Sequence, residues 1–202
     1  MLRRGLGCGC GGLLVLLLAV LAAGYFLVYR PITVFVDGWR TPSQNLQVPA
    51  ASGNVEAPLT KTEVQQFVRI RRAERAALGN TFTGVQAVFQ QIQNGQTPNL
   101  WQLTGVLREA GTSLGQVRTA QTASLVREQL SHERFNVIRS SVNRALGVPE
   151  VDFGTVANDL LGGKLPDFKQ TVRTQADART TALIAPFKAE LTATAALGLL
   201  GL

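Results

Sequence analysis

The sequence predicts an all-helical protein with one N-terminal transmembrane helix, an extended tether, and then an antiparallel bundle of about five to seven helices. Three observations lead to this fold class. An uncharged apolar run lies near the N-terminus, a stretch rich in Pro, Ser, Asn and Gly follows it, and beyond residue 59 apolar side chains recur at helical spacing. The alternating pattern of a β-strand does not compete with that spacing after residue 60.

The first predicted element is an apolar helix over residues 11–29. It carries no charge and, at about 1.5 Å per residue, nearly crosses a hydrocarbon core of about 30 Å. Arg3 and Arg4 precede it, which favours residues 1–10 in the cytoplasm and the main domain outside the cytoplasmic membrane. The alternative is a signal peptide cleaved near Ala22–Gly24, with export of the remaining chain. The apolar run continues through Val28, which favours an uncleaved anchor.

Both cysteines, Cys8 and Cys10, lie before the apolar run. The following domain therefore contains no disulfide, no thiol nucleophile and no cysteine-ligated metal. A bacterial lipidation signal places its cysteine after the apolar region, so we interpret this pair as filler among glycines at the membrane edge. The hydrophobic fraction of 46% and the charged fraction of 16% exclude a disordered or collagen-like chain.

Residues 30–58 are predicted to form an extended linker. The apolar residues before Asp37-Gly38 are interpreted as a short docked edge or an extended segment, because a single strand without a partner is not stable. Residues 41–58 have no apolar period and are rich in turn-forming residues, as is typical of a flexible tether. We expect such a tether to let the following domain range far from the bilayer.

The predicted helical domain covers residues 59–190. Its first helix begins at the capping-box pattern Thr60-x-x-Glu63 and ends at Gly79. The later connections are short, which favours antiparallel neighbours. Further predicted starts, stops and kinks lie at Gly95, Pro98, Gly111, Ser131, Gly147, Gly162, Pro166 and Pro186, with a short helix at Thr155–Leu161.

An apolar C-terminal tail covers residues 191–202 and carries no charge. It is too short to span a bilayer. The sequence leaves open whether this tail packs on the domain, frays, or contacts a partner or the membrane surface.

Catalytic chemistry would have to involve the one histidine, His132, which lies between Ser131 and Glu133. Consecutive side chains on a helix point about 100° apart, so these three cannot form a nucleophile–base–orienter chain. We interpret them as the capped first turn of a helix and predict no catalytic residue. One histidine and no cysteine in the domain also predict no metal site and no cofactor.

The candidate site is a cluster of four arginines that is expected to contact an anion or a partner: Arg69, Arg71, Arg72 and Arg75. Arg71 and Arg75 fall within the apolar face of their predicted helix, where a buried unpaired charge is costly. One expectation is an interhelical salt-bridge network with acidic partners on neighbouring helices, at Glu109, Glu128 or Glu133. The alternative is a groove that binds a carboxylate, a phosphate or an acidic peptide.

The expected function is therefore non-enzymatic protein contact outside the cytoplasmic membrane, as an adaptor, chaperone-like protein or accessory subunit of an envelope assembly. The membrane and an envelope protein are the expected partners. Charges are interleaved and no basic stripe carries stacking aromatics, so nucleic acid is not. One alternative is a small-molecule or anion-binding domain that uses the arginine groove. A hydrolase in which His132 works with Glu133 or Glu109 is the weaker alternative.

Overall fold

The computed structural model describes residues 7–40, 47–148 and 177–202, together with the single positions 159, 162 and 164. Within this part of the chain the regular structure is helical and no strand occurs, which confirms the all-helical prediction. The α-helices are α1 (Gly7–Gly24), α2 (Arg30–Arg40), α3 (Lys61–Leu78), α4 (Thr81–Gln93), α5 (Leu100–Glu128), α6 (His132–Leu146), α7 (Ala178–Ile184) and α8 (Lys188–Ala193). A π-helical turn covers Tyr25–Tyr29, and 3-10 turns cover Ala185–Phe187 and Ala195–Leu200.

The N-terminal helix is apolar and exposed. Segment Gly12–Asp37 has a mean hydropathy of 2.4 and is long enough, by length and composition, to cross a membrane. The large apolar side chains between Leu13 and Leu27 are about half exposed or more. This confirms an apolar N-terminal helix of membrane-spanning length.

Pro31 lies inside this continuous helix. A proline there removes a backbone donor and crowds the carbonyl four residues earlier. The π-helical turn lies directly before it, and the Arg30 amide donates to the carbonyl of Tyr25, five residues back. A π-turn widens the helix locally, which relieves the crowding, so the helix continues through a residue that commonly ends one.

The predicted extended linker is wrong for residues 30–40, because these residues form α2. Ile32 and Phe35 lie on one face of α2 and are buried, at 0% and 1% exposure. Burial of that face against other helices stabilises a helix that local turn signals at Asp37-Gly38 would not favour. Residues 47–58 have neither helix nor strand, while 41–46 lie outside the described residues.

The α2 helix packs closely on α5 at a position without a side chain. A Cβ atom at Gly111 would lie 3.3 Å from the backbone nitrogen of Phe35. Gly111 was predicted to end a helix, and this prediction is wrong, because α5 runs without interruption from Leu100 to Glu128. Glycine at this position allows two backbones to approach rather than stopping the helix.

The α3 helix runs antiparallel to the C-terminal half of α5. Midway along α3, Arg69 donates a hydrogen bond to Glu128 at the end of α5. Further along α3, Glu74 accepts a hydrogen bond from Gln121, which lies earlier in α5. Two polar contacts therefore set the register between these helices.

The predicted capping box begins α3 as expected. The Glu63 amide donates to the Thr60 hydroxyl, and the Thr60 amide donates to the Glu63 carboxylate. Arg134 on α6 donates from Nε to the same carboxylate at 2.6 Å, and from Nη1 to the carbonyl oxygens of Val55 and Ala57. One arginine thus joins α6, the start of α3 and the segment before it.

Apolar side chains form two core clusters. The first joins α2, α4, α5 and the C-terminal tail, and the second joins α3, α6, α7, α8 and the end of α5. Leu197, Leu200 and Leu202 of the tail are at 0% exposure, and Arg139 on α6 donates a hydrogen bond to the carbonyl of Gly201. The tail therefore packs on the core, which answers the question the sequence left open.

Of the predicted helix boundaries near the C-terminus, one is confirmed and two cannot be compared with the described residues. The kink at Pro186 is confirmed, because α7 ends at Ile184 and a 3-10 turn leads into α8. The predicted short helix at Thr155–Leu161 and the helix start at Pro166 lie essentially outside the described residues.

Candidate functional site

The four arginines of the candidate site do not line one common groove: Arg72 and Arg75 border the same depression, whereas Arg69 and Arg71 do not. Arg71 is buried, while Arg69, Arg72 and Arg75 are exposed. Helical geometry separates Arg71 from Arg72, because adjacent side chains on a helix do not face each other. Arg75 lies one turn after Arg71 and differs from it through packing, since it is exposed in the depression that Arg72 also lines.

Arg71 is buried in a polar cluster inside the domain. It is 2% exposed and its Nη1 atom lies 3.4 Å from Oε2 of Glu74, which is fully buried one turn later on the same helix. Gln121 of α5 donates to the other carboxylate oxygen of Glu74 at 2.7 Å, and the Arg71 guanidinium lies 4.8 Å from the ring centre of Phe67. The partner of Arg71 is thus a residue of its own helix, not Glu109, Glu128 or Glu133 as expected.

Burial sets the electrostatics of this pair. It lowers the pKa of Arg71 to about 10, partly offset by the charge of Glu74. It also raises the pKa of Glu74, against the opposing effects of Arg71, Gln121 and Arg139. Because an arginine with a pKa of about 10 remains protonated at neutral pH, Arg71 keeps its charge and requires its internal partner. It does not line an open anion site.

Two of the exposed arginines join helices through bidentate contacts. Arg69 donates to both carboxylate oxygens of Glu128 on α5, with distances of 2.9 and 2.6 Å. Arg72 donates in the same way to Glu190 on α8. The hydrogen bond from Arg69 holds the pKa of Glu128 below its ordinary value, and that from Arg72 does the same for Glu190. Interhelical salt bridges therefore exist in this cluster, but Arg69 and Arg72 form them, whereas they were predicted for Arg71 and Arg75.

Arg75 lies in an open depression of about 540 Å³ between the end of α3 and α8. Its guanidinium lies 4.4 Å from the ring centre of Phe82. Among the described residues no carboxylate is within ion-pair distance of it. The depression is lined by Arg72, Arg75, Ala76, Gly79, Glu190, Ala193 and Thr194.

The Ser-His-Glu sequence forms the start of α6. The Ser131 hydroxyl accepts the Arg134 amide at 3.1 Å, as the cap of this helix. His132 and Glu133 are exposed. This geometry agrees with the interpretation of the three residues as a capped first turn.

No group of three or more His, Cys, Asp or Glu residues that could hold a metal ion occurs in the described part of the chain. No protein-family model matches the sequence, and neither a curated protein nor a solved structure matches it. The chemistry of the described residues is therefore the basis for a functional argument.

Three residues of these contacts were not predicted from the sequence: Glu74 and Glu190, which pair with Arg71 and Arg72, and Gln121, which donates to Glu74. The spacing of Arg71 and Glu74, three residues apart, is a signal for an ion pair on one helix. Gln121 and Glu190 have no comparable signal, because their approach depends on how α5 and α8 pack on α3.

Proposed function

We propose that this protein is a non-enzymatic membrane protein that holds a helical domain at the outer face of the cytoplasmic membrane and acts by contact with an envelope protein. The observation that carries the proposal is the continuity between the apolar helix and the domain. Ile32 and Phe35, a few residues beyond the exposed apolar stretch, belong to the first core cluster. The domain is thus joined to its anchor by packing rather than by a loose tether.

The interior of the domain supports a role in contact rather than in chemistry. Arg71 and Glu74 are paired internally, and Arg69 and Arg72 connect helices. The apolar tail fills the core against α4 and α6. These groups are engaged in contacts within the domain, so we assign recognition to the rest of its outer surface.

Membrane attachment and orientation are tested with one engineered cysteine. Thr119 is exposed on α5, and the only native cysteines are Cys8 and Cys10. In a Cys8→Ser/Cys10→Ser/Thr119→Cys variant, an impermeant maleimide is expected to label intact cells, and the protein is expected to stay in alkali-washed membranes. A Cys10→Ser variant that keeps Cys8 is the control and should react only after lysis. The reverse labelling pattern, or release of the domain from the membrane, would contradict the proposal.

Contact with a partner is tested by cross-linking from the same Thr119→Cys position in living cells, with Asn136→Cys on α6 as a second exposed position. We expect one dominant envelope protein to be recovered from at least one position, at a yield independent of its abundance. Recovery in proportion to abundance from both positions would reject an adaptor role.

A second candidate function, binding of a small anion, rests on Arg75. Its guanidinium lies in an open depression and has no carboxylate partner among the described residues. We expect inorganic phosphate to shift amide resonances of Gly79 and Thr194 in the full-length protein, and Arg75→Gln to abolish the shifts. Equal shifts in the variant would reject this site.

A further inference from the structure

The first half of the domain contains a long segment without charge. No Asp, Glu, Lys or Arg occurs between Arg75 and Arg108, although charged residues make up 16% of the chain. The segment comprises α4, the loop after it and the first turns of α5. We name α4 and residues 94–107 the uncharged hairpin.

Among the side chains that the structure describes, the uncharged hairpin exposes mainly amides and hydroxyls, together with one large aromatic residue. Gln93, Asn94, Gln96 and Gln102 are exposed. Trp101 is 65% exposed and, among the side chains that the structure describes, is the one large apolar side chain beyond α2 that is exposed. Tryptophan is enriched at membrane–water interfaces, where its ring lies among headgroups and its N–H finds an acceptor.

The packing of α2 on α5 limits the distance between this hairpin and the bilayer. Phe35 lies six residues beyond Tyr29, which is about 9 Å along the helix axis, and it contacts Gly111 of α5. The headgroup layer extends roughly 5–8 Å beyond the hydrocarbon core on each side. Gly111 therefore lies just above the headgroups, and Trp101, which is about 15 Å from it along α5, is within reach of the headgroup layer.

We propose that the uncharged hairpin is a membrane-contact surface, with Trp101 in the headgroup layer of the leaflet from which α2 emerges. The lack of charge fits this partner, because moving a charge from water into the interface costs free energy whereas amides and hydroxyls bond to headgroup oxygens. The contact would support the domain at a second point besides the anchor. This inference rests on the membrane anchoring proposed above.

Trp101 provides its own readout in the full-length chain, since the other tryptophan is Trp39. The Trp39→Phe variant would be reconstituted in phosphatidylcholine vesicles, with and without bromine high on the acyl chains. We expect brominated lipid to reduce the Trp101 fluorescence. We also expect the Trp101 emission maximum to lie at a shorter wavelength than that of the unfolded protein without detergent.

The matched control moves the tryptophan to α6, in a Trp39→Phe/Trp101→Phe/Asn136→Trp variant. We expect its emission to be unaffected by bromine. Unquenched Trp101 in protein that floats with the vesicles, or equal quenching at position 136, would overturn the hairpin contact while leaving the anchor intact. Protein that fails to float would instead overturn the anchoring on which both proposals rest.

Discussion

At the scale of single residues, the described part of this domain contains a buried ion pair. Arg71 and Glu74 are both at 2% exposure or less, and Gln121 binds the carboxylate from α5. Removing one partner of a buried pair leaves an uncompensated charge, whereas replacing both by apolar residues is often nearly neutral. Substitution of one member of the pair should therefore lower the stability of the domain far more than substitution of both by apolar residues.

We expect Arg71→Met to lower the free energy of unfolding by about 3–5 kcal/mol, because Glu74 is left buried without its cation. The Arg71→Met/Glu74→Leu double variant should recover most of this loss. Urea unfolding of the full-length protein in detergent measures both values. Arg72→Met is the control, since it breaks an exposed pair with Glu190 and should change stability little. A double variant as unstable as the single one would contradict this account.

The lowered pKa of Glu63 leads us to expect that the stability of the protein depends on pH. Burial raises its pKa, but hydrogen bonds from Arg134 and Thr60 outweigh that effect and hold the pKa below the ordinary value of 4.5. A carboxyl group whose pKa is lowered by folding stabilises the protein above its unfolded pKa and loses this contribution as the pH falls through the folded pKa. The loss is therefore expected below pH 4.5.

We expect Glu63→Gln to be less stable than the natural protein at neutral pH and to lose less stability on acidification. Thermal unfolding between neutral pH and the acid range measures the difference. Glu56→Gln, at an exposed position, is the control and should follow the natural protein. Parallel curves for Glu63→Gln and the natural protein would show that the bond to Arg134 contributes nothing.

At the scale of elements, the junction between α2 and α5 depends on a glycine. A Cβ at Gly111 would meet the Phe35 backbone at 3.3 Å, and backbone atoms cannot give way easily, whereas a Cβ at Gly115 has no atom within 4 Å. Both glycines are on α5, so they share the same gain in helix propensity on replacement by alanine.

We expect Gly115→Ala to stabilise the protein by about 0.5–1 kcal/mol, as alanine does in an open helical position. Gly111→Ala should show no such gain and should instead destabilise, because the added methyl group separates α2 from α5. Thermal unfolding compares the two, and hydrogen exchange at α2 locates the effect. Equal stabilisation by both substitutions would mean that α2 does not pack on α5 as described.

At the scale of the whole molecule, the tail is part of the core that connects the two ends of the described chain. Leu200 is at 0% exposure in the same cluster as Ile32 and Phe35. We expect Leu200→Ala to cost about 2–5 kcal/mol of unfolding free energy. Leu200→Met keeps the volume and should cost less than about 1.5 kcal/mol. If chemical denaturation found both variants as stable as the natural protein, the tail would not be packed.

Sequence reasoning succeeded where the signal is local. The capping box at Thr60 and Glu63, the cap at Ser131 and the break at Pro186 each depend on a few adjacent residues. The predictions of an extended segment at residues 30–40 and of a helix end at Gly111 were wrong. At these positions a neighbouring helix decided the outcome, through burial of α2 and close backbone contact with α5.

For the candidate site, too, some features were predictable from the sequence and others depended on packing. The position of Arg71 on an apolar face predicted that it requires a partner, and periodicity is enough for that inference. The identity of the partner and the separation of Arg75 from Arg71 came from packing. The lack of charge around Trp101 was visible in the sequence, but the packing of α5 on α2 was not.

The sequence by itself determined that this protein is helical, that it begins with an apolar helix of membrane-spanning length, and where several helices start and end. These properties depend on hydropathy and on hydrogen bonds within one or two turns. The tertiary structure decided that residues 30–40 are helical, that the tail fills the core, and which groups neutralise the buried arginine. Those outcomes depend on contacts between residues far apart in the chain, which no local pattern encodes.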